Sequence, residues 1–150
     1  MTKTPTIKAL QGLLTQPKQA GIYHLPHHGQ TGLTKAAKAL GFACFKVDFE
    51  ESEHMGAILT ALGQALHFPD WYGANFDALN DCLTDLSWRE APGYMLVIQG
   101  ADAVHATANS FNALNEVLTN AIEEWRGRDV PFWIFYDLRA DGIATLPTLA

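Results

Sequence analysis

With 150 residues, 48% of them hydrophobic, the chain has apolar content for one domain with its own core. A formal net charge of −6 points away from nucleic acid or an anionic membrane as the main partner. No apolar run approaches the roughly 18 residues a spanning helix needs. The first residues carry lysines but no continuous apolar stretch, a poor signal peptide, so a cytoplasmic chain is expected. Cys44 and Cys82 then remain thiols, and neither has a CxxC or metal-ligand spacing.

In chain order, residues 5–16 read as a short helix with Ile7, Leu10 and Leu14 on one side and Pro17 ending it. Residues 21–25 read as a strand between glycine and proline. Thr31 or Thr34 opens a helix through Leu33, Ala36, Ala37 and Leu40, stopped by Gly41. Residues 42–49 form a strand with Phe45, Val47 and Phe49 on one face and Cys44, Lys46 and Asp48 on the other. Ser52 is a good N-cap for a helix to about Leu66, with Met55, Ile58 and Leu62 as its stripe. After the segment described next, Pro92 and Gly93 turn the chain into a short apolar strand at 94–99. Thr107 or Ser110 then caps a long helix with Phe111, Leu114, Leu118, Ile122 and Trp125 in register, ended by Gly127. Residues 132–136 are the last strand, and 141–150 read as a loose tail. Alternating strands and helices with continuous apolar strands predict an α/β fold, a parallel sheet with right-handed crossovers. Two helices occupy the long connection between Phe49 and Tyr94, so the second can show an outward face at the sheet's edge.

That second helix carries the argument. Residues 68–88 read FPDWYGANFDALNDCLTDLSW, a loop and then a helix over about 75–86. At about 100° per residue, Phe76, Leu79, Leu83 and Leu86 share one side. Asp77, Asp81 and Asp85 line the other, with Asn80 and Thr84 beside them. Each like-charged i, i+4 pair costs roughly 0.2–0.5 kcal/mol, and Asp85 lies near the helix end where the macrodipole disfavours an anion. A negative ridge kept at that cost reads as a ridge in use. Asn75 is a plausible N-cap, and Gly73 permits a turn or a close backbone approach. The rings of Trp71 and Tyr72 either fold back on the core or anchor an interface.

Charge is also segregated along the chain. Up to Lys46 the ionic residues are Lys3, Lys8, Lys18, Lys35, Lys38 and Lys46, with no carboxylate among them. From Val47 to Trp88 there are Asp48, Glu50, Glu51, Glu53, Asp70, Asp77, Asp81 and Asp85, with no lysine or arginine. Ordinary exposed helices mix signs for i, i+4 support. A field of one sign steers a basic partner.

The segment FPDWYGANFDALNDCLTDL resembles the signature of the barstar family, small intracellular inhibitors of secreted microbial ribonucleases. In that family an aromatic–aromatic–Gly–x–Asn loop leads into a helix bearing Asp-Ala-Leu-x-Asp, and the two plug the ribonuclease active site. The similarity spans roughly residues 42–138. It implies three parallel strands with packed helices, so this chain would have that sheet plus a probable extra N-terminal strand. Residues 1–41 then make a strand–helix extension of a single domain covering 1–150. By the resemblance Trp71, Gly73, Asn75, Asp77 and Asp81 fall on partner-binding positions, with Asp81 occupying a phosphate position. Asn80 stands where the best-studied member has a contact-making tryptophan, and Asp85, Leu86 and Ser87 replace a Gly-Trp-Val contact segment. The family's contact-making glutamate in the long helix aligns with Ile122, so Glu123 is carried over as a nearby candidate.

Other chemistries are weaker. His24, His27 and His28 match no zinc pattern, and a metal is not expected. A carboxylate enzyme would need Asp77 or Asp81 buried with a raised pKa, whereas both lie opposite the apolar stripe. There is no GxSxG, P-loop or GxGxxG. Cys82 reads as a small core residue, and His54, His67 and His105 as isolated structural histidines. The expectation is a non-enzymatic bacterial immunity-type inhibitor without a cofactor, acting on a basic secreted-type ribonuclease as in a toxin–antitoxin pair. Its partner surface would comprise Trp71, Gly73, Asn75, Asp77, Asn80, Asp81, Thr84, Asp85 and Glu123. The alternative is a barstar-like module for a different cationic protein.

Overall fold

The computed structural model describes residues 6–25, 30–49, 54–101, 108–137 and 144–145. Ser52, Thr107, Glu50, Glu51, Glu53, His27, His28 and His105 lie outside the described residues. The four apolar stretches form strands β1 (Ile22–His24), β2 (Ala43–Asp48), β3 (Tyr94–Gln99) and β4 (Phe132–Tyr136). A two-residue strand β5 (Ala144–Thr145) completes the sheet, in the order β2-β3-β4-β1-β5 with every pairing parallel. The expected four strands are present, and the tail is corrected at one point. Ala144 and Thr145 pair with Tyr23 and His24 and so cover β1's outer edge. A pairing of two residues has no period to read in the sequence; it is selected by the unpaired backbone it meets.

Among the described residues five α-helices flank the sheet: α1 (Ile7–Leu14), α2 (Gln30–Ala39), α3 (Met55–Ala65), α4 (Phe76–Asp85) and α5 (Ala108–Gly127). The expected starts of two are corrected. Thr31 and Thr34 lie inside α2; of the two residues expected to open α5, Ser110 lies inside the helix, and Thr107, just before it, lies outside the described residues. The N-cap of α3 is His54, whose Nδ1 accepts from the Ala57 N–H at 3.2 Å. An imidazole nitrogen can supply the acceptor usually given by a hydroxyl or carboxylate, a substitution outside the usual cap preferences.

The strand order dictates where the helices go. From β2 through β3 to β4 the chain steps across the sheet in one direction, while β1 to β2 steps back the other way. Right-handed crossovers therefore send α2 to one face and α3, α4 and α5 to the other. Alternate strand residues follow this division. On one face Trp133 Nε1 donates to the Leu14 carbonyl at 2.9 Å, and Gln99 Nε2 donates to Gln30 Oε1 at 3.1 Å. On the other, Tyr94 packs on Trp125 and Tyr136 on Phe111. Every residue of β4 is buried, as a strand covered on both faces requires. The acidic helix α4 packs chiefly against α5 and more lightly against α3.

Candidate functional site

Local chemistry starts α4 as the sequence predicts. Asn75 is extended and caps it, its Oδ1 accepting from the Ala78 N–H at 2.8 Å. Asp77 stands in the first turn, where the macrodipole favours it. Leu79, Leu83 and Leu86 are buried with Cys82, and Phe76 is half-buried. Asp77, Asp81 and Asp85 are exposed. Among the described residues one salt bridge is found, Arg128 to Glu124 at 3.5 Å, so no internal cation pairs with the ridge. Burial pushes the Cys82 thiol up to about 11, and the neighbouring carboxylates of Asp81 and Asp85 add to the shift. It is a neutral packing group.

The C-terminal end of α4 is held from outside. Its last carbonyls have no partner within the helix. Trp125 Nε1 donates to the Leu83 carbonyl at 2.7 Å and Arg128 Nη1 to that of Thr84 at 2.6 Å. The Arg128 guanidinium lies 4.4 Å above the Trp125 ring, a cation at the negative end of the helix. The Thr84 hydroxyl donates to the Asn80 carbonyl at 2.8 Å, so its expected role toward a partner shares a side chain already bonded to its own helix. Leu86 ends the helix in the left-handed region at φ 48° and is fully buried. Of the segment 85–87, only Asp85 and Ser87 reach solvent.

The loop before α4 separates its two rings. Tyr72 turns inward, its hydroxyl donating to the Leu59 carbonyl at 2.8 Å and its ring meeting Phe68 edge-on at 4.8 Å. Gly63 of α3 makes room for it; a Cβ there would lie 2.7 Å from the ring. Trp71 turns outward and is 58% exposed, the largest exposure among the described bulky apolar side chains. The left-handed residue of the loop is Ala74 at φ 52°, not Gly73. Gly73 is exposed, and a side chain there would crowd the Asn75 amide at 3.2 Å.

A groove of about 700 Å³ runs between α4 and α5, bordered by Asp77 and Asn80 on one side and Glu116, Asn120 and Glu123 on the other. Ile122 is 2% exposed and faces the core, while Glu123 is exposed and borders this groove. Helical phase separates these neighbours by about 100°. Glu116 and Asn120 were not foreseen. Their signal was the polar row 112, 116, 119/120, 123 opposite the apolar stripe of α5. That row does not say which helix lies beside it. Among the described residues no group of three or more His, Cys, Asp or Glu is placed to hold a metal. No described helix is long and apolar enough to cross a membrane.

A family model described as Barstar (barnase inhibitor) matches residues 42–137, from just before β2 to just past β4. A Bacillus subtilis (strain 168) protein named "Putative ribonuclease inhibitor YrdF" is 34% identical over 79 residues, 52% of this chain and 84% of that protein. The match carries α3, α4, α5 and the loop bearing Trp71, and leaves out β1, α1 and α2. The chain belongs to the barstar family.

Proposed function

We propose that this chain inhibits a basic, secreted-type ribonuclease from inside the cell, plugging its active site with α4 and the loop before it. Ribonuclease inhibition is the family's activity, and the mechanism is our reading of the surface. The observation that carries it is the exposed row Asp77, Asp81 and Asp85, unpaired by any cation of the described chain. A nuclease cleft lined with Arg, Lys and His recognises phosphates, and carboxylates at matching spacing offer the same charge-assisted hydrogen bonds. Asp81, at the centre of the row, takes the phosphate position. Asp77, Asp85 and Glu123 extend the field, while Trp71 supplies apolar contact area beside it. Asn75, Asn80 and Thr84 supply polar contacts around the ridge, and Gly73 lets the partner approach the backbone closely. No bond is made or broken, so the protein acts as an inhibitor and not as an enzyme.

The test is titration into an assay of a microbial guanyl-type ribonuclease at low and high salt. Stoichiometric inhibition that weakens with salt is expected, because exposed charge is screened over about 10 Å at 0.1 M. Undiminished nuclease activity at saturating inhibitor overturns the reading. A second reading, a different cationic protein as partner, is favoured by one observation. Leu86 is buried and Asn80 replaces an aromatic contact, so this surface presents Trp71 as its exposed ring. Capture of a basic non-nuclease by the wild type but not by Asp81→Ala would favour it.

A further inference from the structure

The opposite face of the sheet carries a second cavity with the opposite charge. It lies between α2 and the edge strand β2, with a volume of about 500 Å³, inside the roughly 300–1,000 Å³ typical of small-molecule sites. Helix α2 buries Leu33, Ala36 and Ala37 and leaves its row 31, 34, 35 and 38 beside β2, so part of the sheet there stays open. Met95 and Val97 lie at its base almost fully covered, and the half-buried Cys44 and Phe45 are the apolar groups open to it. Burial pushes the Cys44 thiol up against the pull of Lys38 and Arg89, which keeps it neutral. Lys35, Lys38 and Lys46 stand around the cavity, and no carboxylate lines it among the described residues.

One observation independent of those lysines points to a ligand. Gln30 lines the cavity and is 8% exposed, and its Nε2 has no hydrogen-bond partner. Its Oε1 accepts from Gln99, which leaves its donor end over. Buried polar groups are almost always satisfied, and an orphan needs a reason. An acceptor atom brought by a ligand would supply one.

We propose that this cavity binds a small organic anion with a flat apolar body and one phosphate, sulfonate or carboxylate head. The body lies along Cys44 and Phe45 above Met95 and Val97, the head meets the lysine ammonium groups, and an acceptor atom takes the Gln30 amide. Phosphate and carboxylate heads differ in source but share this chemistry. The inference does not depend on the ribonuclease reading, since no residue of α4 takes part.

The probe is anilinonaphthalene sulfonate, an apolar ring system bearing one anion, titrated into the full chain at low salt. Saturable binding at one site with enhanced fluorescence is expected. Lys35→Glu with Lys46→Glu should weaken it at least about tenfold, the loss of roughly one charge-assisted contact. Asp81→Ala should leave it unchanged. Displacement of the probe by adenosine monophosphate assigns a phosphate head, and displacement by decanoate a carboxylate head; either supports the site. Val97→Trp, which fills the base, should abolish binding. If that variant fails to fold, the double lysine variant decides the question. No saturable binding, or equal affinity in a folded double lysine variant, overturns the proposal.

Discussion

The Asn120 side chain donates its amide to Asn80 Oδ1 across 2.7 Å, tying the middle of the acidic helix to the long helix beneath it. Asn80 is thus partly occupied by its own protein and sits at the lip of the α4–α5 groove. Trp125 and Arg128 add two further bonds to the last turn of α4. The ridge is held at its middle and its end by α5 and the residues just past it. The helix that presents the three aspartates is therefore held in place despite their mutual repulsion.

Trp125→Phe tests that hold. The ring volume is mostly kept, but the Leu83 carbonyl loses its donor in a buried setting. A loss of about 1–3 kcal/mol is expected in urea denaturation. Arg128→Ala should cost less, about 1 kcal/mol or below, because its bond to Thr84 is exposed. Equal costs for the two would deny Trp125 its special place.

Gly63→Ala tests the link between α3 and the loop before α4. Alanine gains up to about 1 kcal/mol of helix propensity, whereas forcing a methyl against the Tyr72 ring costs about 1–3 kcal/mol. A net loss of up to about 2 kcal/mol is expected, together with weaker inhibition as the neighbouring Trp71 shifts. Should the variant gain stability, Tyr72 does not need that space.

Asp81→Ala should move stability and binding in opposite directions. Two like-charged i, i+4 pairs vanish, and alanine is the better helix former, so the folded state gains roughly 1 kcal/mol. Affinity for the ribonuclease should fall by about 2–5 kcal/mol, since basic groups of the partner are left buried and unpaired. That range rests in part on charge pairs measured at the barnase–barstar interface itself. Calorimetry of the wild type and this variant at one salt concentration checks it, and an unaltered affinity removes Asp81 from the phosphate position.

Cys82 sets part of the alkaline limit of stability. Its folded value is about 11 against an ordinary 9.0. Below pH 9.0 the thiol is protonated whether the chain is folded or not, so it contributes no pH dependence there. As pH rises from 9.0 toward 11 the unfolded chain releases its proton first, and stability is lost across that window. Urea midpoints should therefore fall with pH more steeply for the wild type than for Cys82→Ala. Parallel slopes would exclude the thiol as the cause.

Sequence alone determined the acidic helix, because its signals are local. Asn75 as cap, the leucine stripe and the aspartates four apart depend only on neighbours within a few residues. The apolar strands and their parallel pairing were legible for the same reason: a strand buried on both faces is continuously hydrophobic. What the sequence left open depends on residues far apart in the chain. Tyr72 went in and Trp71 out because Gly63 and the Leu59 carbonyl offered one pocket, which a single ring fills. Glu116 and Asn120 joined the site because α4 settled on α5, and Ala144–Thr145 became a strand because β1 had a free edge. Periodicity tells which side of an element avoids water; only packing tells what the other side is placed against.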